Sequence, residues 1–145
     1  MSLLAEDTSL MSSTKSFCEA LASQDEFKKL HTHVEAFLTD DEARLQYQSV
    51  HESGEALNDK QRSGVELTDA EINEFEQARE QLLQNSVVTN FMDAQRELQT
   101  VQQTISKYVG LTLELGHAPT DEDLAAAAAQ ESGCCGGSGG GGCGC

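Results

Sequence analysis

The sequence has no tryptophan, one proline and only nine basic side chains among its 145 residues. Each shortage excludes something. With 5 % aromatic and 38 % hydrophobic residues, the chain is too lean for one large core, and it favours helices that each bury a single stripe. The lone proline, Pro119, comes late, so nothing upstream breaks a long helix. No apolar run approaches the roughly 20 residues that a membrane span needs. The opening stretch MSLLAEDTSLMSSTK lacks a basic start and an unbroken apolar segment. It does not read as a secretion signal, and the chain is expected in the cytoplasm.

The scarcity of positive charge is the strongest exclusion. Against 25 acidic residues the nine Lys and Arg leave a net charge of -16. Phosphate backbones are held by clustered basic side chains, and here they are scattered. Direct nucleic-acid binding and docking on an anionic membrane are both disfavoured. The acid keeps a helical surface soluble, or it forms a face for a basic partner.

Helical periodicity fills most of the chain. Leu10, Thr14, Phe17 and Leu21 share one face, with Cys18 beside them as a small buried hydrophobe. Ser23 and Glu26 have the form of a capping box that starts a second helix through Phe27, Leu30, Val34 and Phe37. Thr39-Asp40-Asp41 supplies the next N-cap. The third helix spans about Asp41 to Arg62, with Leu45, Tyr47, Val50, Gly54 and Leu57 as its weak stripe and Gly64 as its stop. Thr68 and Glu71 form a further capping box, opening a helix that faces inward through Ile72, Phe75, Arg79 and Leu82. After a break at Asn85-Ser86 comes the clearest pattern. Val87, Phe91, Ala94, Leu98, Val101, Ile105, Tyr108, Thr112 and Leu115 alternate in steps of four and three, a sustained heptad stripe. Part of it exceeds what one chain can cover, which points to self-association or pairing with a similar chain. Gly116 to Pro119 stops this helix, and Thr120 opens a short one through Leu124 and an alanine run.

No catalytic constellation is present. The glycines follow no strand and precede no helix, so they are not a phosphate loop. His31 and His33 stand two apart and cannot chelate together on a helix; His51 reads as a solvated helix residue. The carboxylates lack the inward Glu/His arrangement of di-iron bundles. The chain is expected not to be an enzyme. What chemistry there is lies in GCCGGSGGGGCGC at 133–145, where Cys134, Cys135, Cys143 and Cys145 stand among glycines. Four thiolates complete a tetrahedral zinc site or an iron–sulfur cubane, and glycine allows the backbone angles of a tight metal loop. The spacing matches neither a zinc-finger knuckle nor a ferredoxin run, so the metal stays open. Redox pairing, an inert tail and lipidation are the other readings, though the terminal Cys-Gly-Cys is not a C-a-a-X box. His117 is a further candidate ligand, or a helix-end histidine beside exposed carbonyls.

Two stretches carry a family resemblance. Gly64-Val-Glu-Leu-Thr-Asp-Ala-Glu-Ile72 and Asn85-Ser-Val-Val-Thr-Asn-Phe91, with the order and spacing of the helices, resemble the YlbF/YmcA (YheA-like) small helical bacterial regulators. The resemblance covers the region of Phe17–Leu21 to about Leu115. It implies a non-catalytic regulatory adaptor that pairs with itself or with paralogous YlbF/YmcA-type chains. It further implies a YaaT-type third protein, cysteine-bound iron–sulfur clusters, and modulation of RNA processing by the endonuclease RNase Y, with effects on competence, sporulation and biofilm. Cluster ligation would fall to Cys134, Cys135, Cys143 and Cys145, with zinc as the alternative. The fold expected is all-α, an antiparallel bundle of about five helices with a long last helix and a flexible Gly/Cys tail. Its parts are a helical domain at 1–116, a linker with a short helix at 117–132 and the tail at 133–145.

Overall fold

The computed structural model describes residues 2–132, which form six helices and no strand. These are α1 (Ser9–Ala22), α2 (Asp25–Thr39), α3 (Asp41–Arg62), α4 (Asp69–Gln84), α5 (Ser86–Leu115) and α6 (Asp121–Ser132). The all-α expectation holds. Two compact units are present, Met1–Gln99 and Thr100–Cys145, the second described as far as residue 132.

In the first unit, local chemistry sets most helix ends. Asp40 has an extended backbone (φ -96°, ψ 99°) and its Oδ1 accepts from the Ala43 N–H at 3.0 Å, starting α3. The same helix has Asp41 and Glu42 in its first turn and Lys60 and Arg62 in its last, matching both ends of its dipole. Gly64 closes it at φ +75°. The Gly64 N–H donates to the Gln61 carbonyl and the Val65 N–H to that of Lys60, a Schellman arrangement that glycine makes without steric cost. At Asn85 one residue serves two helices. Its N–H donates to Leu82 at the end of α4, and its Oδ1 accepts from the Val87 N–H at the start of α5. Its Nδ2 also donates to Gln46 Oε1 of α3 at 3.2 Å.

Two expectations near the N-terminus fail. Ser23 does not start α2: it sits in helical geometry (φ -82°, ψ -12°) and its hydroxyl donates back to the Ala20 carbonyl at 2.8 Å. An N-cap needs extended backbone, and Gln24 takes that place without a side-chain cap bond. Cys18 is exposed rather than buried. The cause is that α1 packs shallowly: Met11 and Leu21 are half-buried and no α1 residue is buried.

The core is small. Phe37, Ala43, Leu82, Val88 and Phe91 form one buried cluster, with Val34, Tyr47, Val50, Val87 and Met92 packed against it. Phe91 of α5 stacks on Phe37 of α2 with centroids 3.8 Å apart and rings 10° from parallel. Tyr47 of α3 meets both rings edge-on, at 5.6 and 6.1 Å. The α2 stripe is inward as expected, and so are Phe75 and Leu82 of α4, whereas Leu45 and Ile72 remain exposed.

The second unit contains the C-terminal half of α5 and α6. Gly116 turns the chain at φ +77°. Thr120 and Asp123 cap α6 reciprocally: the Asp123 Oδ2 accepts from the Thr120 N–H at 2.9 Å, and the Thr120 Oγ1 from the Asp123 N–H at 3.3 Å. Lys107 of α5 pairs with Glu131 of α6 at 2.9 Å, and Leu111, Leu124 and Ala127 are half-buried.

Replacing Phe91 with alanine removes one of the two stacked rings and half of the Tyr47 edge contacts. A loss of about 3–5 kcal/mol is expected, read as a lower urea midpoint; a midpoint unchanged from wild type would show that the stack does not hold these helices together.

Candidate interaction surface

Of the residues singled out by sequence for metal binding, Cys134, Cys135, Cys143 and Cys145 lie outside the described residues. Among the described residues, no group of three or more His, Cys, Asp or Glu side chains is placed to hold a metal ion. His117 Nδ1 lies 3.0 Å from the carbonyl of its neighbour Ala118, in the turn between α5 and α6. His31 is exposed and packs its ring against Phe27 at 5.5 Å. His51 is exposed, with Nε2 3.4 Å from Glu55 Oε1 one turn on and its ring parallel to Tyr47.

An open groove of about 350 Å³ runs between α3 and α4 and reaches the start of α5, lined by Tyr47, Val50, Phe75, Leu82 and Met92 together with Arg79. Gly54 permits this close approach of the two helices, since a Cβ there would stand 3.2 Å from the Phe75 ring. The lining carries no nucleophile with a base and an orienting third group, the geometry that covalent catalysis needs. Its lining is mixed: His51, Glu55 and Asn58 join Arg79 beside the apolar side chains.

Behind that groove the turn between α3 and α4 is locked by charge. Thr68 and Glu71 form the full capping box, with the Thr68 N–H donating to Glu71 Oε2 at 3.0 Å and the Glu71 N–H to Thr68 Oγ1 at 3.2 Å. The Lys60 ammonium of α3 donates to the other Glu71 oxygen. Lys60 first, and then the Thr68 amide, hold the Glu71 carboxyl below its ordinary range. Asp123 is held low in the same way by the Thr120 amide and hydroxyl.

Among the described residues, the stripe of α5 carries an apolar face that is covered only in part. It is buried at Phe91 and Ala94 and half-buried at Leu98, Val101 and Ile105. Beyond that it opens, with Tyr108 48 % and Leu115 41 % exposed and Val109 and Leu113 beside them. The register read from sequence holds from Phe91 to Ile105, although Val88 rather than Val87 takes the fully buried place; beyond Ile105 the half-buried residues are Lys107, Gly110 and Leu111, not Tyr108, Thr112 and Leu115. On α1, Leu10 and Phe17 are 48 % and 49 % exposed. Large apolar side chains grouped on one helix face mark contacts between molecules. Sequence reasoning found both faces from spacing but missed Ala43 and Gln46, because small or polar residues carry no apolar signal.

Comparison with known proteins bears on this surface. The family described as control of competence regulator ComK, YlbF/YmcA, matches residues 10–114, from the start of α1 almost to the end of α5. A UPF0342 protein of Oceanobacillus iheyensis is 27 % identical over 96 residues, covering 66 % of this chain and 82 % of its own. A UPF0342 protein of Shouchella clausii is 27 % identical over 106 residues, covering 72 % and 90 %. No solved structure matches significantly.

Because the Glu71 carboxyl is held low in the folded state, its contribution is present above the ordinary carboxylate range and is lost as pH falls through the folded value. Wild type is therefore expected to exceed Glu71→Gln in urea midpoint at neutral pH, with the gap closing below about pH 4. A gap that stays constant with pH would contradict this assignment.

Proposed function

Since the chain belongs to the YlbF/YmcA family of competence-control regulators, we propose that it is a non-catalytic regulatory adaptor that acts through protein–protein complexes. The observation that carries this reading is the α5 stripe: its apolar seam continues past the core and ends uncovered at Tyr108 and Leu115. A helix that spends apolar residues on an open face is built to be covered by another chain. Self-association and pairing with paralogous YlbF/YmcA-type chains both fit. A YaaT-type protein and RNase Y are the further partners that the family resemblance suggests. The reading places this role in the cytoplasm; among the described residues no helix is long and apolar enough to cross a membrane.

Cys134, Cys135, Cys143 and Cys145 are proposed to hold an iron–sulfur cluster. The donor set fits: four soft thiolates within twelve residues, separated by glycine and one serine. A bound cluster would supply redox sensitivity to the complex. The chain's own contribution is to present deprotonated thiols on a backbone free of Cβ crowding. Zinc binding or thiol redox sensing in a dimer is the alternative, and a structural helical module with inert cysteines is the third.

Anaerobic purification with iron and acid-labile sulfide analysis tests the cofactor, using the four-fold Cys→Ser variant as control. Iron and sulfide in wild type that vanish in the variant are expected. Zinc alone supports the zinc alternative, and a metal-free reduced protein overturns both metal readings. Capture of RNase Y or a YaaT-type chain by wild type is the matching test of the adaptor reading.

A further inference from the structure

The groove between α3 and α4 lies wholly within the first unit. On α3 its lining falls at positions 47, 50, 51, 54, 55 and 58, and on α4 at 75, 79, 82 and 83. Both sets follow the three- and four-residue spacing of one helix face, so the groove is formed by two such faces side by side. From Tyr47 to Asn58 it follows α3 for about 16 Å, three helical turns. Its apolar surface is not used up inside the unit. Tyr47, Val50, Phe75 and Met92 are half-buried, and Leu83 is 45 % exposed. A small-molecule site encloses most of its ligand, whereas an open trough of this length is the seat that an amphipathic helix takes.

Charge says which kind of helix fits. From Tyr47 to Asp59 the acidic residues are Glu52, Glu55 and Asp59, and Lys and Arg are absent. From Phe75 to Leu83 the charged residues are Glu76, Arg79 and Glu80. All five carboxylates are exposed, and among the described residues none of them pairs with a lysine or arginine. Glu55 lines the groove itself, Asp59 stands one turn further along α3, and Glu76 stands two turns before Leu83. Arg79 is the one base. It disfavours a lysine at its own position and is available to a single carboxylate of the occupant.

This chain does not itself supply such a helix. Lys15 and Glu19 bring α1 to zero, and α2 to α6 each carry more acid than base. Residues 133–145 contain no charged side chain. A second copy would therefore bring like charge or none to a wall that is already acidic.

We propose that the α3–α4 groove is a docking site for a basic amphipathic helix of another protein. Its apolar face covers Tyr47, Val50, Phe75, Leu83 and Met92, and its flanking lysines or arginines meet the carboxylates of both walls. The proposal rests on the adaptor reading and deepens it by naming a surface and the chemistry of its partner.

Met92 provides a local probe, because the other methionines, Met1 and Met11, stand before and within α1. The full chain, labelled at its methionine methyl groups, is titrated at physiological ionic strength with an amidated leucine–lysine peptide of about 18 residues in helical spacing. The Met92 resonance is expected to shift saturably while those of Met1 and Met11 stay in place. The same peptide with glutamate for lysine is expected to leave all three unchanged. Glu55→Lys with Glu76→Lys is expected to weaken binding about tenfold or more. Glu19→Lys with Glu35→Lys, which changes the net charge equally on α1 and α2, is expected to leave it unchanged. Equal losses in the two double variants, or shifts at all three methionines, would show attraction to general acidity and overturn the site. Tighter binding of the glutamate peptide would also overturn it, in favour of Arg79 as selector. An unmoved Met92 overturns the groove, and capture of RNase Y or a YaaT-type chain by the same protein would then leave the adaptor reading standing.

Discussion

Where Phe91 lies flat on Phe37 and Tyr47 meets both rings edge-on, α2, α3 and α5 are held by one aromatic contact. Aromatic pairs add about 0.5–1.5 kcal/mol beyond the area they bury, a large share where only six side chains are buried among the described residues. Everything else in the first unit is arranged round that contact. Ala43, without exposed surface, lets the start of α3 come in close. Asn85 sets where α4 stops and α5 begins, and its bond to Gln46 ties that junction to α3. Phe91 therefore enters the core at a fixed height.

The same economy leaves apolar surface open on α5. A chain with so few large apolar residues cannot cover a 30-residue helix along its whole length. At 1.5 Å per residue α5 spans about 45 Å, and the core accounts for only its first third. Beyond it the seam is half-buried at Val101 and Ile105 and opens at Tyr108 and Leu115, in a segment without net charge. In this member of the YlbF/YmcA family the open apolar face of α5 coincides with a stretch that carries no net charge.

Much of this was legible from the chain alone, for a physical reason. Caps are local: Asp40, Thr68 with Glu71, Gly64, Asn85 and Thr120 act within a few residues of themselves, so pattern suffices to find them. Ser23 has the same local pattern and fails because it closes α1 as its C-cap in helical geometry, which only its backbone angles reveal. Cys18 fails for a tertiary reason, since spacing shows which face is apolar but not whether a neighbour covers it. The Gln46–Asn85 bond joins residues 39 apart and leaves no trace in either stretch. Cys134, Cys135, Cys143 and Cys145 were found by residue type and crowding alone. They lie outside the described residues, so the cluster reading rests on donor chemistry and family.

Amide hydrogen exchange at two protein concentrations tests most directly whether the open part of α5 is an interface. Protection at 86–99 depends on the aromatic core and is expected not to change with concentration, whereas protection at 101–115 is expected to rise as copies associate. Concentration-independent exchange at 101–115 would contradict the claim that this face is built to be covered by another chain.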